Sequence, residues 1–565
     1  MSQDGAYKIL LIADSTIDPL ARFVSRDRPD LSVDIAAYDQ VAACLRGDLA
    51  GHDLAVVFAR LERVSAQFVR ALQYESYDRE TLFAEVDSFA ALLRSASAKV
   101  PALIMFTWVP PFWLLPAGLH DFKPPYDLPR IVAECNLKLA TAVEDCTNVY
   151  LLDSAQTLAG VGSDFDPKLW ALGKIVYSRA GLEAIGRRIR AASDALRGTS
   201  RKLIVVDLDN TLWGGIVGDD GWQNLKLGGI DPIGESYSIF QKQLKALRSR
   251  GILLAIVSRN EEATAIEAIR RHPEMVLSAD DFAGWRINWR DKAQNIAELA
   301  AELNLGFQSI VFIDDNPAER DRVRQALPEV LVPEWPADPA MYPQALRTLD
   351  CFGTVTFSQE DRARTQMYQQ ERRRAQALGA VQSREDWLAS LEMKVKVEPL
   401  NAANLPRAVQ LLNKTNQFNL ATRRMTQAQY QAWACQPGNR VLTFEAEDRF
   451  GTYGLIGLLG MTADGQVLRV VDWVLSCRAM GRGIEETMAA AAGRAAVEAG
   501  CRRIIARYLA TAKNKPILDF LCASRAVRHG DEFHFSIVEC NVPAHVRVQG
   551  AGWKEMTADV ARTAD

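Results

Sequence analysis

Leu203-Ile204-Val205-Val206-Asp207-Leu208-Asp209-Asn210-Thr211 is the stretch on which the fold turns. Four consecutive apolar residues read as a short strand buried on both faces, the kind found in parallel sheets. Two carboxylates, two positions apart, follow where that strand runs out into a loop. Residues i and i+2 of a strand share a face, and once the chain leaves the sheet the second carboxylate can swing toward the same reacting atom. Asp207 is thereby placed to attack a phosphorus in line and form an aspartyl phosphate, while Asp209 protonates the leaving oxygen and later deprotonates water. Two anions beside an anionic phosphate repel each other, so the pattern asks for a divalent cation. Magnesium, hard and oxygen-seeking, suits it. An isolated Asp-x-Asp is more often a capping turn of solvated aspartates, because short motifs match often by chance.

Three sites downstream supply the missing context. Gly251 to Val257 reads as a second short apolar strand ending in Ser258-Arg259-Asn260. That places a hydroxyl at a strand terminus, where it can donate to a phosphoryl oxygen with Asn260 beside it. Lys292 opens a helical pattern running from Asp291 to Leu303 and offsets phosphate charge. Ile310 to Ile313 is a third strand, ending in Asp314-Asp315-Asn316-Pro317, with Pro317 suited to the first helical turn. A doubly wound parallel sheet gathers its ligand at the carboxyl ends of its strands, and every one of these groups falls at such an end.

This order of Asp-x-Asp-x-Thr, Ser, Lys and Asp-Asp resembles the haloacid dehalogenase (HAD) superfamily over residues 200–350. The resemblance implies that Asp207 is the nucleophile and a magnesium ligand, and that Asp209 is the acid/base with its backbone carbonyl on the metal. Thr211 then supports the site, Ser258 and Lys292 hold the phosphoryl group, and Asp315, with Asp314 alongside, completes the metal ligands. The local wording narrows this further. Asp207 to Gly215, Val217-Gly218-Asp219-Asp220-Gly221 and Phe312 to Arg320 look like the FkbH-like family, as do Thr415-Asn416-Gln417-Phe418-Asn419 and Thr422-Arg423-Arg424. That resemblance implies loading of a glyceryl unit from 1,3-bisphosphoglycerate, a small phosphorylated three-carbon substrate, onto the phosphopantetheine thiol of an acyl carrier protein. Phosphate is removed in the process, for polyketide or related biosynthesis. A stand-alone phosphatase of a small phosphomonoester and a carrier-binding scaffold are the alternatives.

Composition agrees with a cytoplasmic enzyme of several domains. The chain has 565 residues, 48% of them hydrophobic and 24% charged, which is ordinary for packed domains and long enough for three or more. A net charge of -4 gives no general pull toward nucleic acid or anionic membrane. Arg423, Arg424, Arg478 and Arg482 could form a local basic patch for an acidic carrier protein, or stand as scattered solvated arginines. The nine cysteines lie far apart without zinc spacing, as expected of reduced thiols. The apolar run after Lys8 is too brief for a signal-peptide core. Val100 to Leu119 is long and apolar, but Pro101, Pro110, Pro111 and Pro116 break it, which predicts a buried strand and a loop rather than a membrane span.

The fold class expected is therefore multidomain α/β. Residues 1–196 alternate strand candidates at Ile9–Ala13, Leu31–Ala36, Leu54–Phe58, Ala102–Thr107 and Val149–Leu152 with helical stretches. Asp14-Ser15-Thr16 after the first of them resembles the nucleophile block of SGNH-type hydrolases. The late Asp-x-x-His of that family is missing, since Asp166-Pro167-Lys168-Leu169-Trp170 stands in its place, so Ser15 reads as a helix cap and the domain as noncatalytic. Residues 351–385 read as an exposed helical connector. Residues 386–565 form a further domain, with strands around Val395–Val397, Val441–Phe444, Tyr453–Met461 and Val467–Leu475 leading into Ser476-Cys477-Arg478-Ala479-Met480-Gly481-Arg482-Gly483 and a helix to Ala499. Arg-x-x-Gly-x-Gly resembles the pyrophosphate loop of GNAT acyltransferases: Gly481 and Gly483 let backbone amides approach phosphate oxygens, Arg478 adds charge, and the helix N-terminus favours anions. The same loop could grip a carrier's phosphopantetheine. Cys477, just before it, is a candidate nucleophile for a glyceryl thioester, with Arg478, Arg482 and the helix N-terminus available to lower its pKa. A free cysteine is also commonly a small buried hydrophobe. Where members of the family carry another cysteine before the HAD serine, this chain has Val257.

Overall fold

The computed structural model describes residues 6–550 apart from 125–126, 162–164, 356–364, 366, 368, 371–373, 375–382, 512 and 538–540. The chain divides into two compact units: Met1–Leu247 with Gly306–Phe357, and Arg248–Leu305 with Ser358–Asp565.

In the first unit, β1 (Tyr7–Ala13), β2 (Leu31–Ile35), β3 (Leu54–Phe58), β4 (Ala102–Phe106) and β5 (Val149–Leu152) lie within two residues of their expected positions. They form one parallel sheet in the order β2-β1-β3-β4-β5. Alternate residues face opposite sides of a strand, so Leu10 and Ile12 join one apolar cluster while Ile9 and Leu11 join another. Burial on both faces is why these strands read as unbroken apolar runs. The long helix Arg179–Arg197 packs against the helix Asp18–Ser25 at Gly186, where a Cβ would stand 2.8 Å from the Cβ of Phe23. Ser15 corrects an expectation. The helix after β1 starts at Asp18 with Ile17 at its N-cap and no side-chain cap, while Ser15 is buried. Pro19 at the second helical position supplies the preset backbone angle that starts this helix. The same unit holds β6 (Leu203–Val206) and β9 (Ile310–Ile313), paired in parallel from Leu203↔Ile310 to Val206↔Ile313.

In the second unit, β7 (Leu253–Ser258) and β8 (Phe282–Ile287) also pair in parallel. The remainder is a mixed sheet of β10 (Met393–Pro399), β11 (Phe418–Asn419), β12 (Asn439–Asp448), β13 (Gly451–Asp464), β14 (Val467–Leu475), β15 (Arg503–Arg507), β16 (Val527–His529), β17 (Glu532–Phe535) and β18 (Val546–Gln549). Its order is β16-β17-β15-β14-β13-β12-β10-β18, with β11 added to β14. Helix Ile484–Glu498 joins β14 to β15, which pair in parallel, while β12, β13 and β14 form an antiparallel meander. The mixed sheet with its crossover helix gives this region the α+β class expected of it. The connector expected from Ser358 to Leu378 falls largely outside the described residues, of which Thr365, Met367, Gln369, Gln370 and Arg374 are helical. Among the described residues no helix is long and apolar enough to cross a membrane.

Candidate active site

At the carboxyl end of β6 the ladder to β9 continues for one more residue, the Asp207 N–H donating to the Ile313 carbonyl at 3.0 Å. That register brings Asp207 out of the sheet beside Asp314 and Asp315. One carboxylate oxygen from each of the three lies within 4.8 Å of the others. Asp207 and Asp314 are buried and Asp315 is half-buried. Three hard oxygen donors at such a spacing fit the octahedral shell of magnesium, whose metal–oxygen distances are about 2.0–2.1 Å.

Short-range bonds hold this loop pair in place. The Thr211 hydroxyl donates to Asp315 Oδ1 at 3.2 Å, and the Asp315 N–H donates to Thr211 Oγ1 at 3.1 Å. Asp314 Oδ1 accepts from the Asn316 N–H at 2.9 Å, which shapes the turn into the helix Pro317–Ala326. Arg320, buried on that helix, donates to the carbonyls of Asp314 at 2.9 Å and Asp315 at 2.7 Å. Its part was not among the expected site roles, although it closes the Phe312–Arg320 wording. Asn210 turns the chain with φ +54°, a conformation asparagine tolerates better than most residues. Its carbonyl accepts from the hydroxyls of Tyr237 at 3.3 Å and Tyr342 at 3.0 Å, and its side-chain oxygen accepts from the Gly215 N–H at 3.0 Å. Burial pushes both tyrosine hydroxyls well above their ordinary pKa, so they remain proton donors. Asp209 Oδ1 accepts from the Trp213 indole N–H at 2.9 Å and the Val217 N–H at 3.1 Å. The carboxylates brought together are thus Asp207, Asp314 and Asp315, while that of Asp209 is held by the loop after it.

In the second unit, Ser258 is the last residue of β7 and is buried, its hydroxyl accepting from Asn260 Nδ2 at 3.2 Å. Lys292 begins the helix Lys292–Glu302, capped by Asp291, whose carboxylate accepts from the Gln294 N–H at 3.1 Å. Only 3% of Lys292 is exposed. Each predicted phosphate-holding group therefore stands where its own strand ends or its own helix begins.

Further along this unit, Cys477 is exposed in a short 3-10 turn after β14. Gly481 and Gly483 have φ of +73° and +83°, which favours glycine at both. A Cβ on Gly483 would also come within 2.7 Å of His545 Nε2. The Gly481 N–H donates to Glu485 Oε1 at 2.5 Å, so a carboxylate of the chain itself meets an amide that the motif offers to phosphate. Burial raises the Glu485 pKa. Arg482 is buried, its guanidinium 5.1 Å from the Tyr453 ring and donating to the Arg478 carbonyl. Arg478 contacts Met367 Sδ. Residues of the Thr415–Arg424 stretch bond to neighbouring parts of the same unit. Asn514 Nδ2 donates to the Asn419 carbonyl at 3.0 Å, Arg423 forks onto buried Asp472, and Arg424 reaches the Leu412 carbonyl. In the first unit, Asp14 Oδ2 accepts from the Arg60 N–H at 2.6 Å, Oδ1 accepts from Arg60 Nε at 3.0 Å, and that guanidinium lies over Trp170.

A parallel α/β sheet with three convergent carboxylates at strand ends defines a HAD-like domain. The chain is similar to the N-terminal part of the protein BF1531 from Bacteroides fragilis, containing a phosphatase domain and complexed with Mg. Identity is 30%, covering 62% of this chain and 95% of that one at a TM-score of 0.57. It belongs to the family of that phosphatase-domain protein. Smaller overlaps occur with spermidine N-acetyltransferase from Vibrio cholerae in complex with CoA and spermine (11% identity, 26% of this chain, 96% of that chain, TM-score 0.21) and ribosomal-protein-S18-alanine N-acetyltransferase from Escherichia coli (8%, 25%, 94%, 0.20). Likeness at that level carries no argument about activity. No family model matches the chain, and no curated protein matches it.

Proposed function

We propose that this protein is a magnesium-dependent phosphatase that also loads a glyceryl unit from 1,3-bisphosphoglycerate onto the phosphopantetheine thiol of an acyl carrier protein. The observation that carries the phosphatase part is the convergence of Asp207, Asp314 and Asp315 within 4.8 Å beside the loop of Asp209. Asp207 attacks phosphorus, Asp209 gives its proton to the departing oxygen, and water then releases phosphate from the aspartyl phosphate with Asp209 as base. Asp207, Asp314 and Asp315 would hold magnesium, which would neutralise charge on the phosphoryl oxygens. Ser258 and Lys292 are assigned to the phosphoryl group by the order of motifs along the chain.

The acyl part rests on the FkbH-like wording and on the chemistry of the substrate. An acyl phosphate is an activated mixed anhydride, so a thiol displaces its phosphate without ATP, whereas the remaining phosphate ester is inert and needs the carboxylate site. Cys477 is exposed and immediately precedes the glycine loop, which suits a transient glyceryl thioester. The carrier and its arm are then the partner and second cofactor, in the cytoplasm.

The test is to incubate the chain with magnesium, 1,3-bisphosphoglycerate and a holo carrier protein, then weigh the carrier. A glyceryl increment on the carrier is expected. Phosphate release without any increment would favour a phosphatase acting alone. Cys477→Ala should retain phosphate release from a small phosphomonoester while carrier loading stops, and loading that survives the substitution sinks the covalent-thiol route.

A further inference from the structure

We propose that Trp213 is a positioning residue for proton transfer by Asp209, an inference that rests on the phosphatase reading above. The Trp213 ring is completely buried, and its Nε1–H reaches back four residues to Asp209 Oδ1 at 2.9 Å in a loop that is not helical. The Val217 N–H meets the same oxygen at 3.1 Å. Asp209 and Trp213 are also joined by an isolated backbone bridge, and the next turn is pinned by a second bridge between Gly214 and Lys226. Between them Asn210 is clamped by the two tyrosine hydroxyls. The indole thus sits on a braced loop, and its donor fixes where the Asp209 carboxyl points.

Both N–H groups can only donate, so the oxygen they share is held as an acceptor. The transferable proton therefore belongs to Oδ2. In the first step the bond from Asp207 to phosphorus forms, the bond from phosphorus to the leaving oxygen breaks, and the Oδ2 proton moves to that oxygen. In the second step water attacks the aspartyl phosphate, its proton returns to Oδ2, and inorganic phosphate leaves with Asp207 restored. A carboxyl free to rotate would present either oxygen, and the proton would be misplaced in part of the population.

The experiment compares two substrates with the full chain and magnesium. p-Nitrophenyl phosphate has a leaving group that departs with little protonation, whereas glycerol phosphate departs as an alkoxide and needs the proton. General-acid assistance contributes about 10²–10⁴-fold. Trp213→Phe removes the donor and keeps an aromatic ring, and the ratio of kcat on glycerol phosphate to kcat on p-nitrophenyl phosphate should fall by at least about tenfold. This ratio is internal to each preparation, so a smaller folded fraction leaves it unmoved. Asp209→Asn should lower the same ratio further. An equal proportional loss on both substrates, total loss included, overturns the role of Trp213. If the wild-type chain turns over both substrates and the ratio stays constant, this inference alone falls; if the wild type turns over neither, the phosphatase reading falls and takes it along.

Discussion

Asp207→Asn releases phosphate at least about a thousandfold more slowly than the wild type, a barrier increase of roughly 4 kcal/mol. Two losses combine in that number. The amide is a poor nucleophile toward phosphorus, so the covalent step is removed, and one of three converging metal-binding carboxylates is neutralised. The substitution is nearly isosteric, and the backbone bond from residue 207 to Ile313 does not involve the side chain. The fold should persist. Three carboxylates within 4.8 Å repel one another when no cation is bound. In metal-free buffer Asp207→Asn is therefore expected to melt at or above the wild-type temperature while being inactive in magnesium. Phosphate release read alongside calorimetry checks both halves. A variant that keeps more than a tenth of the activity would remove Asp207 as nucleophile. Chelation of the wild type should silence phosphate release, and added magnesium should restore it.

What the sequence made legible here is local. Leu203–Val206 and Ile310–Ile313 stand out because each is an unbroken apolar run ending at a polar residue, which a fully buried parallel strand requires. The carboxylates follow at once, so their place at the strand ends needed no knowledge of the rest of the chain. The two-residue strand β11 was not legible. Its existence depends on pairing with Val474 and Leu475, more than fifty positions away, and no periodicity announces two residues. The clamp of Tyr342 on Asn210 is equally remote, spanning 132 positions. Ser15 misled because a serine soon after a strand suits a cap, whereas Pro19 starts the helix without one. Glu485 against Gly481 is local, yet an acidic residue in the first helical turn is so common that it signals nothing about what the loop holds.

Arg374→Ala is the largest stability loss expected in the second unit, about 3–5 kcal/mol. The Arg374 side chain is 2% exposed and that of Asp448 is fully buried. Two bonds of 2.6 and 2.9 Å join them, and the guanidinium lies 4.0 Å from the Tyr453 ring centre. Asp448 also accepts from the Tyr453 hydroxyl at 2.7 Å and from the N–H groups of Phe450 and Gly451. Removing the arginine leaves a carboxylate that cannot reach water, and that cost outweighs what the pair gained by forming. Arg374→Lys should recover little, since a point charge cannot fork onto both carboxylate oxygens or stack on the ring. The pH dependence follows from the same contacts. Burial opposes ionisation of Asp448, but the bonds from Arg374 and Tyr453 outweigh it and hold the group below its ordinary range. Its contribution is therefore present above the unfolded pKa of about 3.9 and lost as pH falls through the lower folded value. Urea unfolding followed through the tryptophans of this unit should show the wild-type and Arg374→Ala curves separated at pH 7 and converging in acid. If the gap between them were independent of pH, the ion pair would not be its source, and lost packing against Tyr453 would account for it instead.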